Sequence, residues 1–417
     1  MRRRLLLAGA ASAAWPAASS AAGAEPALPA CTPNAAGSMA GFSPERLQRL
    51  DAFLEADTRA TARGPGHLGA VVLLARDGCV LHARAHGWRD LARRDPMPPD
   101  AIFRIYSMTK PITSVAVLML MEEGALTLDD PVARHLPGFA GQRLQDGRAP
   151  SRPLTLRHLL THTSGLDASR APADPQAAPD LATFAQRVAD TALAVEPGSR
   201  FRYDGINTDL LGRLVEVVSG QPFGRLLQQR LFGPLGMVDT GFSVPQAQRP
   251  RIADITSVGD DGRLVLADAR SADAPGTPLR DYDGGAGGLY STAPDYLRFA
   301  QMLLDEGRWR GQRLLSPATV ALMRSNHVAH LDVGNGLAPG EGFGLGVSMV
   351  LDPARRGRLG SPGAFGWPGA ATTYFTVDPR ERLVALLMMQ HVPRGLASDP
   401  PRPAAAFHNL VYQALER

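Results

Sequence analysis

A chain of 417 residues, 44% apolar, 20% charged and 6% aromatic, is long enough for two or three packed units and too ordinary to be disordered, collagen-like or fibrous. Its 44 basic residues are 43 arginines and one lysine, Lys110, which follows Thr109; this excludes a phosphate loop ending Gly-Lys-Ser/Thr, and any lysine chemistry has to use Lys110. The formal charge of +4 drops to +1 without residues 1–24, which carry Arg2, Arg3, Arg4 and no acid, so no electrostatic case exists for nucleic acid or an anionic membrane.

Residues 1–24 read as a cleavable export signal. Arg2–Arg4 form the basic region, Leu5–Trp15 the apolar core, and Ala22-Gly23-Ala24 a small-residue cleavage site. A periplasmic or secreted protein is expected, by the general or the twin-arginine route. No other segment approaches the roughly 20 apolar residues of a membrane span. Residues 25–42 form an Ala/Pro-rich leader. Two cysteines, Cys31 and Cys79, cannot make a Cys-based zinc site or a disulfide framework. Ser43 predicts a helix cap, with Pro44 and Glu45 in the first turn and Leu47, Leu50, Phe53 and Leu54 on one face. Gly69–Ala75, the turn Arg76-Asp77-Gly78 and the alternating Cys79–Gly87 predict a β-hairpin.

Helical patterns dominate from 107 to about 235, broken at 171–179 and 197–198. Thr292-Ala-Pro-Asp295 reads as a capping box opening a helix through Leu304. Ala371–Val377 and Leu383–Met389 read as strands, and 404–415 as a closing helix. Strands at both ends with helices between predict an antiparallel sheet built from the two termini around an inserted helical region.

The chemistry-bearing candidates start at Ser107-Met-Thr-Lys110. On a helix these two residues share a face, about 5–6 Å between Cβ atoms. A serine hydroxyl is a poor nucleophile until a base takes its proton, and burial makes an amine a better base because desolvation disfavours the ammonium form. By itself the pair could equally be a surface lysine after a serine. Tyr203, in Pro197-Gly-Ser-Arg-Phe-Arg-Tyr203-Asp-Gly-Ile-Asn207, could relay protons or simply pack at a helix start. Trp367-Pro-Gly369 reads as a turn entering a strand, where a backbone N–H can face a substrate carbonyl. Competing sites are weaker: Gly284–Gly288 lacks the G-x-G-x-x-G spacing, and His158 and His162, four apart, have no third metal ligand. Neither H-E-x-x-H nor G-x-S-x-G occurs.

Taken in order, Ser-x-x-Lys, a tyrosine motif and a glycine opening a C-terminal strand resemble the serine β-lactamase/penicillin-binding superfamily, of class C type. Phe103-Arg-Ile-Tyr-Ser-Met-Thr-Lys-Pro111, Leu159-Leu-Thr-His-Thr-Ser-Gly-Leu166, Pro234–Thr240, Gly287–Thr292 and Phe365–Ala370 match its phrases, and the likeness runs from about 43 to 415. Two departures set the branch. Gly205 stands where class C β-lactamases carry an asparagine, and Trp367 where their third motif begins with a lysine; both resemble the family VIII carboxylesterases, whose usual glycine is here Pro368.

The resemblance implies an α/β (α+β) β-lactamase/transpeptidase-like fold, with 43–104 and 290–417 forming a sheet domain and 105–289 a mainly helical one. It further implies a serine esterase working through an acyl-enzyme. Ser107, Lys110 and Tyr203 would be catalytic, the N–H groups of Ser107 and Ala370 the oxyanion hole, and Trp367, Gly369 and Gly205 the substrate contacts. No metal or cofactor is expected, and the partner is a small-molecule ester. The rival readings are a β-lactamase or D-alanyl carboxypeptidase, or an inactive member that binds cell-wall peptides.

Overall fold

The computed structural model describes residues 28–34, 38–59, 64–267, 270–333 and 336–416. The expected export signal lies outside them. The first helix, α1 (Pro44–Asp57), begins as its sequence dictates: the Ser43 side chain accepts from the Arg46 N–H at 3.3 Å, and Leu47, Leu50 and Leu54 are buried. The hairpin follows as β1 (Gly69–Arg76) and β2 (Cys79–Gly87). The two cysteines join as one disulfide, Cys31–Cys79, which ties the preceding segment to the start of β2.

Between the chain ends, three helices position the site: α2 (Thr109–Glu122), α3 (Gly205–Ser219) and α4 (Ala293–Leu304). Residues 109–120 of α2 are all buried, the mark of a helix enclosed on every side. The rest of the sheet comes from β3 (Glu341–Phe343), β4 (Ser348–Val350), β5 (Phe365–Gly369), β6 (Thr373–Asp378) and β7 (Leu383–Met389), and α5 (Ala404–Tyr412) ends the fold. The order in the seven-stranded sheet is β2-β1-β7-β6-β5-β4-β3, with every neighbouring pair antiparallel, so the two chain ends meet at the β1–β7 seam.

Period-two alternation then gives the sheet two apolar faces. Val71, Leu73, Phe375, Val377, Leu386 and Met388 join the large core with α2 and α4. Ala70, Val72, Leu74, Ala385 and Leu387 pack beneath α1 and α5, against Leu50, Leu54, Phe407 and Val411. The result is a three-layer α/β structure. Among the described residues no helix is long and apolar enough to cross a membrane.

Two local expectations change. Thr292 caps α4 by accepting from the Asp295 N–H at 3.2 Å, but Asp295 does not complete a capping box. Its carboxylate turns to the Asp239 N–H (2.7 Å), the Thr240 hydroxyl (3.0 Å) and Arg298 (3.0 Å), because a buried acid takes the richer set of donors. Trp367-Pro-Gly369 is part of strand β5 rather than a turn, and the turn is Ala370–Thr372, where Thr372 has φ 63°.

Candidate active site

Ser107 lies in a 3₁₀ turn, Tyr106–Met108, that runs directly into α2. In 3₁₀ geometry residues three apart eclipse, and Lys110 Nζ donates to Ser107 Oγ at 3.0 Å. The residue before the serine, Tyr106, is left-handed at φ 42°, a strained conformation for a side chain with a Cβ. Its surroundings over-determine it. Ile105 N–H donates to Leu289 O at 3.0 Å, Met108 N–H to Ile105 O at 3.0 Å, and Tyr296 OH to Met108 O at 2.8 Å.

Tyr203 enters from the segment before α3, and its hydroxyl donates to Ser107 Oγ at 2.7 Å across 96 residues of sequence. The same hydroxyl accepts from Trp367 Nε1–H at 3.0 Å. The Lys110 ammonium nitrogen lies 4.9 Å from the Tyr203 ring centroid. Lys110 is only 3% exposed, and it also donates to the Ala286 carbonyl at 2.6 Å. Ser107, Lys110, Tyr203 and Trp367 therefore form one hydrogen-bonded chain.

A cavity of about 710 Å³ opens over it, and Ser107, Tyr203, Trp367, Gly369 and Ala370 line its wall. Gly369 has to be glycine, since a Cβ there would sit 2.1 Å from Thr373 Oγ1 and 2.4 Å from Ile105 O. That absence of a side chain lets β5 lie against the strained turn, so that Ser107 and Ala370 line the same cavity. Gly205 does not line the cavity. It opens α3, and a Cβ on it would press on Ala286 Cβ at 3.3 Å, so its part is to leave room for the Ala286 loop.

That loop is the part the sequence concealed. Gly284–Gly288 carries the carbonyl that receives Lys110. Asp209, buried in α3, accepts the Ala286 N–H at 2.8 Å and so orients the peptide. Burial pushes the Asp209 carboxyl up to about 6, while the Ala286 N–H and Lys110 pull the other way. Close approach explains the glycines: a Cβ on Gly285 would meet Thr208 O at 2.7 Å.

His162 is a structural neighbour of the site. It stands under Tyr203, ring centroids 4.7 Å apart, and its Nδ1 accepts from the Asp204 N–H at 3.3 Å while its carbonyl accepts from the Arg202 N–H at 2.8 Å. Burial, with the Lys110 charge adding, holds its imidazole down to about 3, so it stays neutral. His158 is occupied elsewhere, its Nδ1 accepting the Thr155 N–H at 3.1 Å. No group of three or more metal-ligating side chains occurs among the described residues.

Known proteins resemble this chain over most of its length. The family model "Beta-lactamase" matches residues 54–408. The Burkholderia gladioli esterase EstB is 31% identical over 373 residues, covering 84% of this chain and 91% of its own. The Escherichia coli D-alanyl-D-alanine-carboxypeptidase/endopeptidase AmpH is 28% identical, covering 79% and 81%. Among solved structures, EstCE1, described as a hydrolase with promiscuous acyltransferase activity, superposes with a TM-score of 0.71 at 27% identity, covering 89% of this chain and 98% of its own. The chain belongs to the beta-lactamase family and has the fold of its serine hydrolases.

Proposed function

We propose that this protein hydrolyses carboxylic esters through an acyl-serine intermediate. The observation that carries the ester reading is the Trp367 N–H on the Tyr203 hydroxyl at 3.0 Å. A neutral indole occupies the place where the third-motif cation of a β-lactamase would meet the substrate carboxylate. A carboxylate pressed against that indole would be desolvated and unpaired, costing about 3 kcal/mol or more, over a hundredfold in affinity. A neutral ester meets only apolar contact area there.

The steps follow from the geometry. Ser107 Oγ lies 3.0 Å from Lys110 Nζ and 2.7 Å from the Tyr203 hydroxyl, and it attacks the ester carbonyl as its own proton passes to the amine form of Lys110. The N–H groups of Ser107 and Ala370 hold the oxyanion, and the N-terminus of α2 directs its positive end at the same place. Collapse expels the alkoxide, which leaves as an alcohol with a proton passed through Tyr203. Water then attacks the acyl-serine, losing its proton to the same pair and releasing the acid and Ser107. No step needs a metal or organic cofactor.

Three features support an exported enzyme: the signal-like residues 1–24, the Cys31–Cys79 bridge, and the general confinement of stable disulfides to oxidising compartments. The deciding experiment compares short-chain nitrophenyl esters with a chromogenic cephalosporin on one preparation. Ester turnover at least a hundredfold the more efficient supports the reading, and a cephalosporin hydrolysed as well as the esters overturns it. A fluorophosphonate should label Ser107 and abolish turnover.

A further inference from the structure

The active-site cavity does not end at Trp367. Pairing between β4 and β5 runs only through Ser348↔Gly366 and Met349↔Phe365, so Trp367–Gly369 is a free strand edge. The cavity passes around that edge onto the opposite face of the sheet, where Pro368 pairs with Tyr374 and Gly366 with Thr376 across β5 and β6. This far end differs in charge from the end near Ser107. Its lining holds three arginines, Arg356, Arg358 and Arg402, and a single acid, Glu341.

Glu341 is already taken, since Arg356 Nε donates to its Oε1 at 2.7 Å and a second Arg356 nitrogen donates to Tyr374 OH at 3.3 Å. Arg358 and Arg402 have no acidic partner among the described residues. Asp399, three residues before Arg402, is turned to the Leu396 N–H (2.9 Å) and to His391 (3.8 Å). The floor offers no competing anion either. Tyr374 OH and Thr376 Oγ1 both bond Nε2 of buried His408. Burial, with the charges of Arg356 and Arg358 adding, holds that imidazole well below its ordinary value and therefore neutral. A wall with two uncompensated guanidiniums is unusual in a chain that is otherwise nearly neutral.

We propose that Arg358 and Arg402 form a carboxylate-recognising subsite, and that the preferred substrates are esters carrying an anionic group remote from the scissile bond. The proposal rests on the ester reading above and sharpens it. The charge sits across the strand edge from Trp367, so the indole faces a neutral scissile ester while the arginines take the distant carboxylate. Guanidinium pairs with carboxylate by two parallel hydrogen bonds, and both side chains keep enough solvent contact to receive a ligand without a large desolvation cost.

The test uses nitrophenyl monoesters of dicarboxylic acids of increasing chain length, each against its methyl-capped neutral twin, with a second series carrying the carboxylate on the alcohol side. In the wild-type protein, kcat/KM for the anionic member of the best-fitting pair should exceed that of the neutral twin by about tenfold, mainly through KM, and the advantage should shrink with added salt. In the double variant Arg358→Gln/Arg402→Gln the ratio should collapse to about one, while Arg358→Lys keeps part of it. A purely structural role would lower both rates together and leave the ratio unchanged. Calorimetry with the Ser107→Ala protein reads the same subsite without turnover: the intact anionic half-ester should bind, and the double variant in that background should not. Equal ratios in wild type and double variant, or preference for the neutral twin at every length, overturn the subsite alone. Turnover of neither ester overturns the ester reading and the subsite with it.

Discussion

Two buried cations, six positions apart, reach the same glycine-rich loop and do opposite things. Arg104, fully buried in the short strand before the nucleophile, donates to Gly288 O at 2.8 Å and to Thr277 O at 2.7 Å, with its guanidinium 3.7 Å from the Tyr290 ring centroid. Lys110 donates to Ala286 O, two residues along the loop, and to Ser107 Oγ. The arginine gives both terminal nitrogens to carbonyls, keeps a buried Nε without a partner and cannot release its proton, so it fastens the loop. The lysine spends only one of its donors on a carbonyl and has a hydroxyl as its other partner, so it is placed to exchange a proton. Burial is common to both. What separates an anchor from a base is the side chain's acidity and the chemistry of the partner.

The largest effect should come from converting the base into an anchor. Lys110→Arg keeps the charge and the loop contact but cannot accept a proton, and Ser107→Ala removes the nucleophile. Each should lower kcat/KM on a nitrophenyl ester by about 10³-fold or more with little change in melting temperature. Full activity in either variant would falsify the proposed roles. Breaking the anchor should act on stability instead. Arg104→Met leaves the Gly288 and Thr277 carbonyls without their donors and should cost about 3 kcal/mol in urea unfolding. Any residual activity should keep the wild-type pH profile, and a profile displaced along the pH axis would show that Arg104 tunes Lys110 directly.

A smaller effect is expected one bond away from the proton path. Trp367→Phe keeps the aromatic wall but loses the N–H given to Tyr203, a single hydrogen bond of about 1.4 kcal/mol, and should lower kcat/KM roughly tenfold. An unchanged rate would mean that the indole only packs. The last effect is a slope. His162 is neutral in the folded protein down to about pH 3 but protonates near 6.5 when unfolded, so its contribution to stability is complete above 6.5 and is lost as pH falls towards 3. In His162→Gln that loss should vanish, and stability should decline less steeply with acid, by at most about 1.4 kcal/mol per pH unit. Asp209 and Asp295, both held up to about 6 by burial, titrate with the opposite sign in both proteins and cancel from the difference. Equal slopes would remove the buried, neutral imidazole from under Tyr203.

Much of what depends on neighbours within one or two turns of chain was legible in the residues alone, the Asp295 half of the Thr292 box and the Trp367-Pro-Gly369 turn being the exceptions. The Ser43 cap, the hairpin around Asp77-Gly78 and the Ser107–Lys110 spacing are all governed by local backbone geometry, and each appears where its pattern put it. The resemblance of the motifs supplied Tyr203 and Trp367, which no local rule could have joined to Ser107. The fold alone decided which carbonyl Lys110 would meet, 176 residues away, and that Asp209 would orient it. It likewise decided that Gly205 would lie against the Ala286 loop and outside the cavity lining, that Cys31 would find Cys79, and that Arg358 and Arg402 would share a cavity wall with Ser107. Sequence determines the chemistry a residue can do and the shape of the few residues around it. Which groups face one another across the core depends on how apolar faces close over distant strands and helices, and that is a property of the packed whole.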